Sequence, residues 1–286
     1  MNALYRAIGT SKQNFHQSME RHLLHLEEEQ QFLPLIREIR QDHPCMSSRE
    51  MYRLLQPEHM GRDKFEAFCF AHGFKIAVKR SFHRTTNSLG VTRFENLILQ
   101  RELRGINQVW VSDITYYRIA ERFYYITFIM DLYSRYITGH AVSESLMTEH
   151  TTIAALKKAI LLRTPPAGLI FHSDGGGQYY CKEFLALTKA YHILNSMCES
   201  VYENANAERV NGTIKNDYVI HYGPRNFNQL KEQVKRAVDM YNHYRPHKAL
   251  SGLSPMAFEN LLTENPLFNK RKKEAKKEKI TSSILL

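Results

Sequence analysis

The stretch VWVSDITYY, residues 109–117, decides the fold because it predicts a buried strand that contains one carboxylate. Its β-branched and aromatic residues favour a strand over a helix. Two segments of similar composition follow at residues 123–131 and 136–142, with short polar breaks between them. Three such segments in succession predict a three-stranded antiparallel meander.

Beyond the meander, helical periodicity alternates with short apolar runs. The predicted helices span residues 148–162, 182–191, 205–219 and 228–244, and the predicted strands span 168–172 and 193–197. Three strands followed by alternating helices and strands predict an α/β fold with a mixed sheet of the ribonuclease-H-like class.

Residues 1–80 predict an all-helical region that precedes this sheet. Gly9 followed by Ser11 indicates a tight turn and a capped helix, and Ser47 with Ser48 opens a further helix. Residues 27–39 predict an amphipathic helix interrupted at Pro34. We interpret the region as helix-turn-helix units that bind DNA; the alternative is a small helical bundle that only packs.

The remaining boundaries follow from composition. Residues 81–106 begin polar and basic and predict a linker, and residues 107–262 predict the catalytic core with its C-terminal helices. Residues 263–286 predict a basic, disordered tail.

Charge and cysteine content narrow the class of protein. The net charge of +10 and the pI near 9.3 favour a polyanionic partner. The four cysteines form no Cys-x-x-Cys pair, which favours a reducing compartment over a zinc or disulfide framework. The sequence contains no secretory signal pattern and no apolar run of about 18 residues, so we expect no membrane span.

Three acidic residues stand out by their positions. Asp113 lies inside an apolar strand, Asp174 follows the strand LIFHS and precedes three glycines, and Glu208 lies in a predicted helix. Each alone is ordinary, since a strand-end Asp is usually a turn residue and a helical Glu is usually solvated. Together, carboxylates can hold two magnesium ions about 4 Å apart, the arrangement that phosphodiester cleavage uses.

The local sequences of these acids carry a family resemblance. WVSDITYY, FIMDLYSRYITGHAVS, HSDGGGQYY, ENANAERVNGTIKNDY and YNHYRPHKALSGLSPMAFE occur in this order. They closely resemble transposases of the insertion-sequence-3 family, specifically the second-reading-frame product with its retroviral-integrase-like core. The resemblance is dense over residues 107–258 and weaker over the N-terminal region.

The resemblance implies a DDE-type enzyme whose three acids are Asp113, Asp174 and Glu208. These would hold magnesium or manganese, two ions per active site. Water would first free a 3′-hydroxyl at an element end, and that hydroxyl would attack another phosphodiester. The expected partners are DNA (terminal repeats and target), a second copy of the chain, and the upstream-frame protein of the same element. We expect a cytoplasmic, nucleoid-associated bacterial protein.

The sequence departs from the family pattern before the third acid. The 33 residues between Asp174 and Glu208 are two fewer than the family usually has. Glu203 stands where the family has aspartate in Asp-Asn-Ala, which leaves Glu203 or Glu208 open as the third ligand. We favour Glu208, because the following Asn-Gly-Thr-Ile-Lys keeps register with the family's helix.

Five further residues are candidate DNA contacts. Lys215 lies seven residues after Glu208, which in a regular helix puts both on one face. The other candidates are Gln178 and Tyr179 beside the second acid, and Arg245 and His247 after the last predicted helix. For the segment of Arg245 and His247, docking of the C-terminal helix is an equal alternative.

Two other functions remain possible at this point. A non-catalytic DNA-binding regulator of the element would bind DNA without its three acids and would make no metal-dependent breaks. A simple metal-dependent nuclease on the same fold would hydrolyse DNA but never join it. The joint presence of linker, core and C-terminal motif favours the transposase.

Overall fold

The computed structural model describes Tyr5 and residues 9–76, 94–99, 101–198 and 204–265, without the side chains of His25 and Glu28. Most of the linker, Glu203 and the basic tail beyond residue 265 lie outside this part. The chain divides into two compact units, Met1–Lys79 and Arg80–Leu286.

The N-terminal unit contains three described helices: α1 Lys12–Asp42, α2 Ser48–Leu55 and α3 Arg62–Ala71. Ser11 caps α1 as expected, since its side chain accepts a hydrogen bond from the Asn14 N–H. Ser47 and Glu50 form a reciprocal capping box at the start of α2.

The predicted interruption at Pro34 is wrong, because α1 continues through it. Phe32 and Ile36 flank the proline and are buried in the core of this unit with Met51, Phe65 and Cys69. Packing on both sides of Pro34 therefore holds the helix together across the missing N–H. The unit is a small helical bundle, and its role in DNA binding stays a prediction.

The second unit is built on a five-stranded mixed sheet. Its strands are β1 Val109–Ile119, β2 Arg122–Asp131, β3 Ile137–Ser143, β4 Ile170–Ser173 and β5 Leu194–Met197. The order is β3-β2-β1-β4-β5, with the first three strands antiparallel and β4 and β5 parallel to β1. This topology confirms the ribonuclease-H-like fold class.

Five α-helices accompany the sheet in the described residues. They are α4 Thr152–Arg163, α5 Lys182–Ala190, α6 Ala205–Gly212, α7 Phe227–Tyr244 and α8 Pro255–Glu264. α6 continues as a π-helix, Thr213–Val219, and one last turn, Ile220–Tyr222. No helix in the described ranges combines the length and apolar character that a membrane crossing requires.

The two faces of the sheet are covered by different helices. Trp110 and Phe171 pack with Leu156 of α4 and Phe184 of α5 on one face. The opposite face buries a second cluster, which includes Val109, Val111, Phe128, Val210, Ile214 and Val234. Successive residues of β1 thus alternate between two apolar layers, as the strand period requires.

Linker residues 94–99 and 101–106 are partly integrated into this unit. The Leu97 N–H donates to Ser196 Oγ over 2.9 Å, and Ile98 and Leu103 pack against the second apolar cluster. These stretches contain neither helix nor strand, yet they are anchored to the core.

Gly139 of β3 lies in close contact with α4. A Cβ at this position would clash with the Ala155 carbonyl oxygen and would lie 2.9 Å from the Ala159 Cβ. We expect Gly139→Ala to lower the free energy of unfolding of this unit by about 1–3 kcal/mol, because overpacking pushes the helix off the sheet. Urea unfolding followed by the fluorescence of Trp110, the single tryptophan, measures the effect.

The matched control is Gly105→Ala, because a Cβ at Gly105 would meet no atom within 4 Å. Equal unfolding curves for the two variants would contradict the close packing of α4 on β3.

Candidate active site

The pairing of β1 with β4 brings the first two acids together. The parallel register pairs Val111 with His172, and the same register carried two residues further places Asp113 level with Asp174. Neighbouring strands lie about 4.8 Å apart, so side chains at equivalent positions are adjacent. Asp174 directly follows β4, which places it at the carboxyl end of that strand.

Helix α6 supplies the remaining groups from above β1. Glu208 lies on this helix, and Asn211 follows one turn later. Asn211 donates from Nδ2 to Asp113 Oδ2 over 2.8 Å, and it is buried. Asn204, at the start of α6, donates from Nδ2 to the Ser112 carbonyl oxygen over 3.1 Å. These bonds tie α6 to the strand that carries the first acid.

The three carboxyl groups influence one another's protonation. Burial, then the Asp174 carboxylate and more weakly Glu208, raise the pKa of Asp113 to about 7, against the Ile114 N–H and Asn211 bonds that lower it. Burial also raises the pKa of Asp174, and the Gly176 N–H opposes this. Burial and the Asp174 charge raise the pKa of Glu208. Like charges held this close favour a cation between them.

The glycine-rich turn after β4 fits closely around Asp174. The Gly176 N–H donates to Asp174 Oδ1 over 3.1 Å. A Cβ on Gly176 would lie 3.0 Å from the same oxygen and 3.3 Å from Gln178 Oε1. The turn therefore leaves little room for a side chain at this position, and it places the half-buried Gln178 beside the second acid. A DNA contact by Gln178 stays a prediction.

The prediction that Tyr179 contacts DNA is wrong for this conformation, because its side chain is only 2% exposed. Its ring packs against Phe171 and Phe184, and its hydroxyl lies 3.0 Å from Ser112 Oγ. The polar and glycine-rich surroundings in the sequence gave no sign that the Gly177–Tyr179 turn folds this ring into the core.

Lys215 would lie on the same face as Glu208 only in a regular α-helix. The helix widens into a π-helix at Thr213, and this changes the rotation per residue. Lys215 Nζ lies 4.7 Å from the ring centre of Tyr116 on β1. A DNA contact by Lys215 stays a prediction. The lysine would make this contact from its position above β1.

Arg245 and His247 have internal contacts that favour the docking alternative. Arg245 Nη2 donates to Asp217 Oδ2 over 2.8 Å. Burial lowers the pKa of His247 to about 4, and its ring lies 4.8 Å from that of the buried Tyr241. Leu250, in the segment between α7 and α8, is also buried. A neutral, half-buried imidazole is a poor phosphate ligand, so the predicted DNA contact of His247 loses its electrostatic basis.

Asp131 and His172 have structural roles. Asp131 accepts hydrogen bonds from the backbone N–H groups of Asn107, Tyr133 and Ser134, and so closes the turn after β2. His172 lies buried in β4 with Nδ1 at 2.9 Å from Ser196 Oγ.

Asn211 was missed in the sequence. The available signal was its position three residues after Glu208, which predicts the same helical turn. α8 was also missed as a separate helix, although Ser254 followed by Pro255 is a typical helix start, with the Ser254 side chain accepting from the Ala257 N–H.

The donor set at this site consists of carboxylate oxygens, the ligands that magnesium and manganese prefer. Within the described ranges, no three His, Cys, Asp or Glu side chains are close enough to hold one ion together. Asp113 and Asp174 are the adjacent pair, and the exposed Glu208 faces them from α6. The residues fit a metal site that the third carboxylate would complete by moving inward.

Comparisons with known proteins identify the family of the chain. The chain matches two families described as Integrase core domain, over residues 104–201 and 193–255. An Insertion element IS600 uncharacterized 31 kDa protein from Shigella sonnei is 34% identical over 204 residues, 70% of this chain and 75% of that protein. Transposase InsF for insertion sequence IS3A from Escherichia coli (strain K12) is 32% identical over 195 residues, 66% of this chain and 67% of that protein.

Solved structures of integrases show lower similarity. The HTLV-2 integrase catalytic core domain in complex with magnesium is 24% identical with a TM-score of 0.43, covering 53% of this chain and 94% of that chain. The catalytic core domain of BIV integrase is 16% identical with a TM-score of 0.43, covering 55% and 98%. On the identity and coverage of its insertion-element relatives, the chain belongs to the insertion-sequence-3 family of transposases, DDE-type polynucleotidyl transferases that integrate DNA.

Proposed function

We propose that Asp113, Asp174 and Glu208 are the acids with which this transposase cuts and joins DNA. The observation that carries the proposal is the meeting of β1, β4 and α6 at one point. Two carboxylates stand side by side on parallel strands, and Asn211 of the helix that carries Glu208 donates to the first of them. Glu203 lies outside the described residues, and the proposal assigns the third position to Glu208.

The same carboxylates would hold magnesium or manganese, with two ions per active site. Bound there, the metal would supply positive charge to the attacking oxygen, the leaving oxygen and the phosphate between them. Asp113 Oδ1 accepts from the Ile114 N–H and Oδ2 accepts from Asn211, which fixes the plane of the carboxylate. Each oxygen keeps a second lone pair for a cation.

Residues of the chain position the reacting groups in two successive displacements. In the first, a water oxygen bonds to phosphorus, and the bond from phosphorus to the 3′ oxygen breaks at an element end. In the second, that freed 3′-hydroxyl loses its proton and its oxygen bonds to another phosphorus, while the bond from that phosphorus to its own 3′ oxygen breaks and this oxygen leaves, protonated, as a new 3′-hydroxyl. The exposed side of Glu208 leaves room for DNA to approach the two more buried aspartates.

The finer assignments of partners belong to the same proposal. The DNA would be the terminal repeats of the element and its target, and joining of two ends would need at least two copies of the chain. The upstream-frame protein of the element would be a further partner. The bacterial insertion-element relatives support action in the cytoplasm on nucleoid DNA.

Removal of the second acid tests the proposal. We expect Asp174→Asn to lower strand cleavage and joining by more than about 100-fold, because a metal-holding carboxylate contributes several kcal/mol at the transition state. Labelled element-end DNA incubated with purified protein and magnesium measures both products, and a chelator should abolish them. The matched control is Glu149→Gln, an exposed acid before α4.

Other outcomes would select the alternatives. Cleavage without joining in the wild type would favour a nuclease. DNA binding without any strand breakage, in wild type and variant alike, would favour a regulator.

The hydrogen bond to Asp113 gives a separate prediction. We expect Asn211→Ala to lower the rate of strand transfer at saturating DNA by about 10–100-fold, because the first carboxylate loses the group that orients it. A higher magnesium requirement should accompany the slower rate. Wild-type rate and magnesium dependence in a folded Asn211→Ala protein would show that the bond has no catalytic role.

Lys215 and Tyr179 should differ in DNA binding. We expect Lys215→Ala to weaken DNA binding and to reduce the slope of log K against log salt concentration by about 1, because one phosphate contact is lost. Tyr179→Phe keeps the buried ring and should leave the affinity unchanged. Fluorescence anisotropy with labelled duplex measures both, and a weakened Tyr179→Phe variant would restore this tyrosine as a DNA contact.

A further inference from the structure

A pair of arginines lies close to the active site. Arg209 follows Glu208 on α6, and Arg135 lies in the turn between β2 and β3. Arg135 donates from Nη1 to Asn206 Oδ1, so the turn is attached to the first turn of α6. Neither arginine belongs to the set of residues that the active site uses.

The rotation of α6 separates these arginines from the acids. Ala207, Val210 and Ile214 are buried against the sheet, which fixes the inner face of the helix. At about 100° per residue, Glu208 and Asn211 then lie on one flank of the helix. Asn206 and Arg209 lie on the other flank, where Arg135 contacts the helix.

The backbone of Arg135 has an unusual conformation. Its φ of 65° lies in the left-handed region, where glycine is favoured over arginine. Its N–H donates to the Asp131 carbonyl oxygen over 2.9 Å and closes the turn. Such strained positions concentrate at functional sites. A glycine could close the same turn without strain. The arginine found here instead extends a long cationic side chain to α6.

The two guanidinium groups have few charged neighbours that could compensate them. Across the part of the chain that the structure describes, neither Arg135 nor Arg209 forms an ion pair, whereas Arg245 and Arg163 each pair with an acid. Burial lowers the pKa of Arg135 and the nearby Arg209 adds to the lowering, whereas Tyr241 and Asp131 oppose it. The Asp131 carboxylate is engaged by three backbone N–H groups. A half-buried cation next to another cation is costly unless an anion binds there.

We propose that Arg135 and Arg209 form a phosphate-binding subsite for the DNA backbone, separate from the phosphodiester at the carboxylates. The inference rests on the proposed function, which places the reacting phosphate at Glu208. The flanks of a helix about 10 Å across separate the subsite from Glu208, so the subsite takes a different phosphate that lies near the reacting one. Arginine suits this role because its planar fork binds two phosphate oxygens at once.

Arg209→Gln and Arg135→Gly test the subsite. Arg209 is exposed, and glycine suits the positive φ of residue 135, so both variants should fold. The control is Arg225→Gln, an exposed arginine beyond the far end of the same long helix, roughly 20 Å away. Binding of a labelled element-end duplex is measured by anisotropy over a range of salt concentrations, without magnesium.

Each of the two variants should weaken binding about 3–10-fold and reduce the salt slope by about 1, and Arg225→Gln should do neither. A scan with single uncharged methylphosphonates then locates the contact. Neutralising one phosphate near, but not at, the cleaved bond should weaken wild-type binding but leave Arg209→Gln unaffected.

The proposed subsite is contradicted if Arg209→Gln binds DNA with the affinity and salt slope of the wild type. It is also contradicted if Arg209→Gln responds to every methylphosphonate as the wild type does. If Asp174→Asn nevertheless cleaves DNA much more slowly than the wild type, the proposed function stands without the subsite. Conversely, unchanged cleavage in Asp174→Asn would contradict the proposed function, while the binding scan would still report on the two arginines.

Discussion

The parallel pairing of β1 with β4 is the constraint on which the rest of the site depends. It connects two segments that are distant in sequence, and its register makes Asp113 and Asp174 neighbours. The antiparallel meander alone would not bring the two acids together, because Asp174 follows β4, which is not part of it. The crossover through α4 between β3 and β4 is therefore the part of the topology that creates the site.

Helix α6 adds further polar and charged groups to this pair of carboxylates. Its buried residues fix its rotation on the sheet, so its two flanks present different chemistry. One flank carries Glu208 and Asn211 towards the aspartates, and the other carries Arg209 towards Arg135. Burial, and then repulsion from the other acids, raises the pKa of Asp113, and hydrogen bonds from Ile114 and Asn211 offset part of that shift.

Much of this arrangement was predictable from the sequence. Local composition predicts strands such as β1, and the resemblance to the family predicts the three acids. What failed depended on packing that local sequence does not encode: the burial of Tyr179, the continuity of α1 through Pro34 and the widening of α6 into a π-helix. The bond from Asn211 to Asp113 joins residues 98 positions apart, so only the folded chain reveals it.

The central claim is that Asp113, Asp174 and Glu208 form one metal-binding site. The most direct measurement is anomalous scattering at the manganese edge from crystals of the protein grown with manganese and element-end DNA. The account predicts peaks between the carboxylates of Asp113 and Asp174, with Glu208 drawn in as a ligand. Manganese bound elsewhere on the chain, with these three carboxylates left uncoordinated, would contradict it.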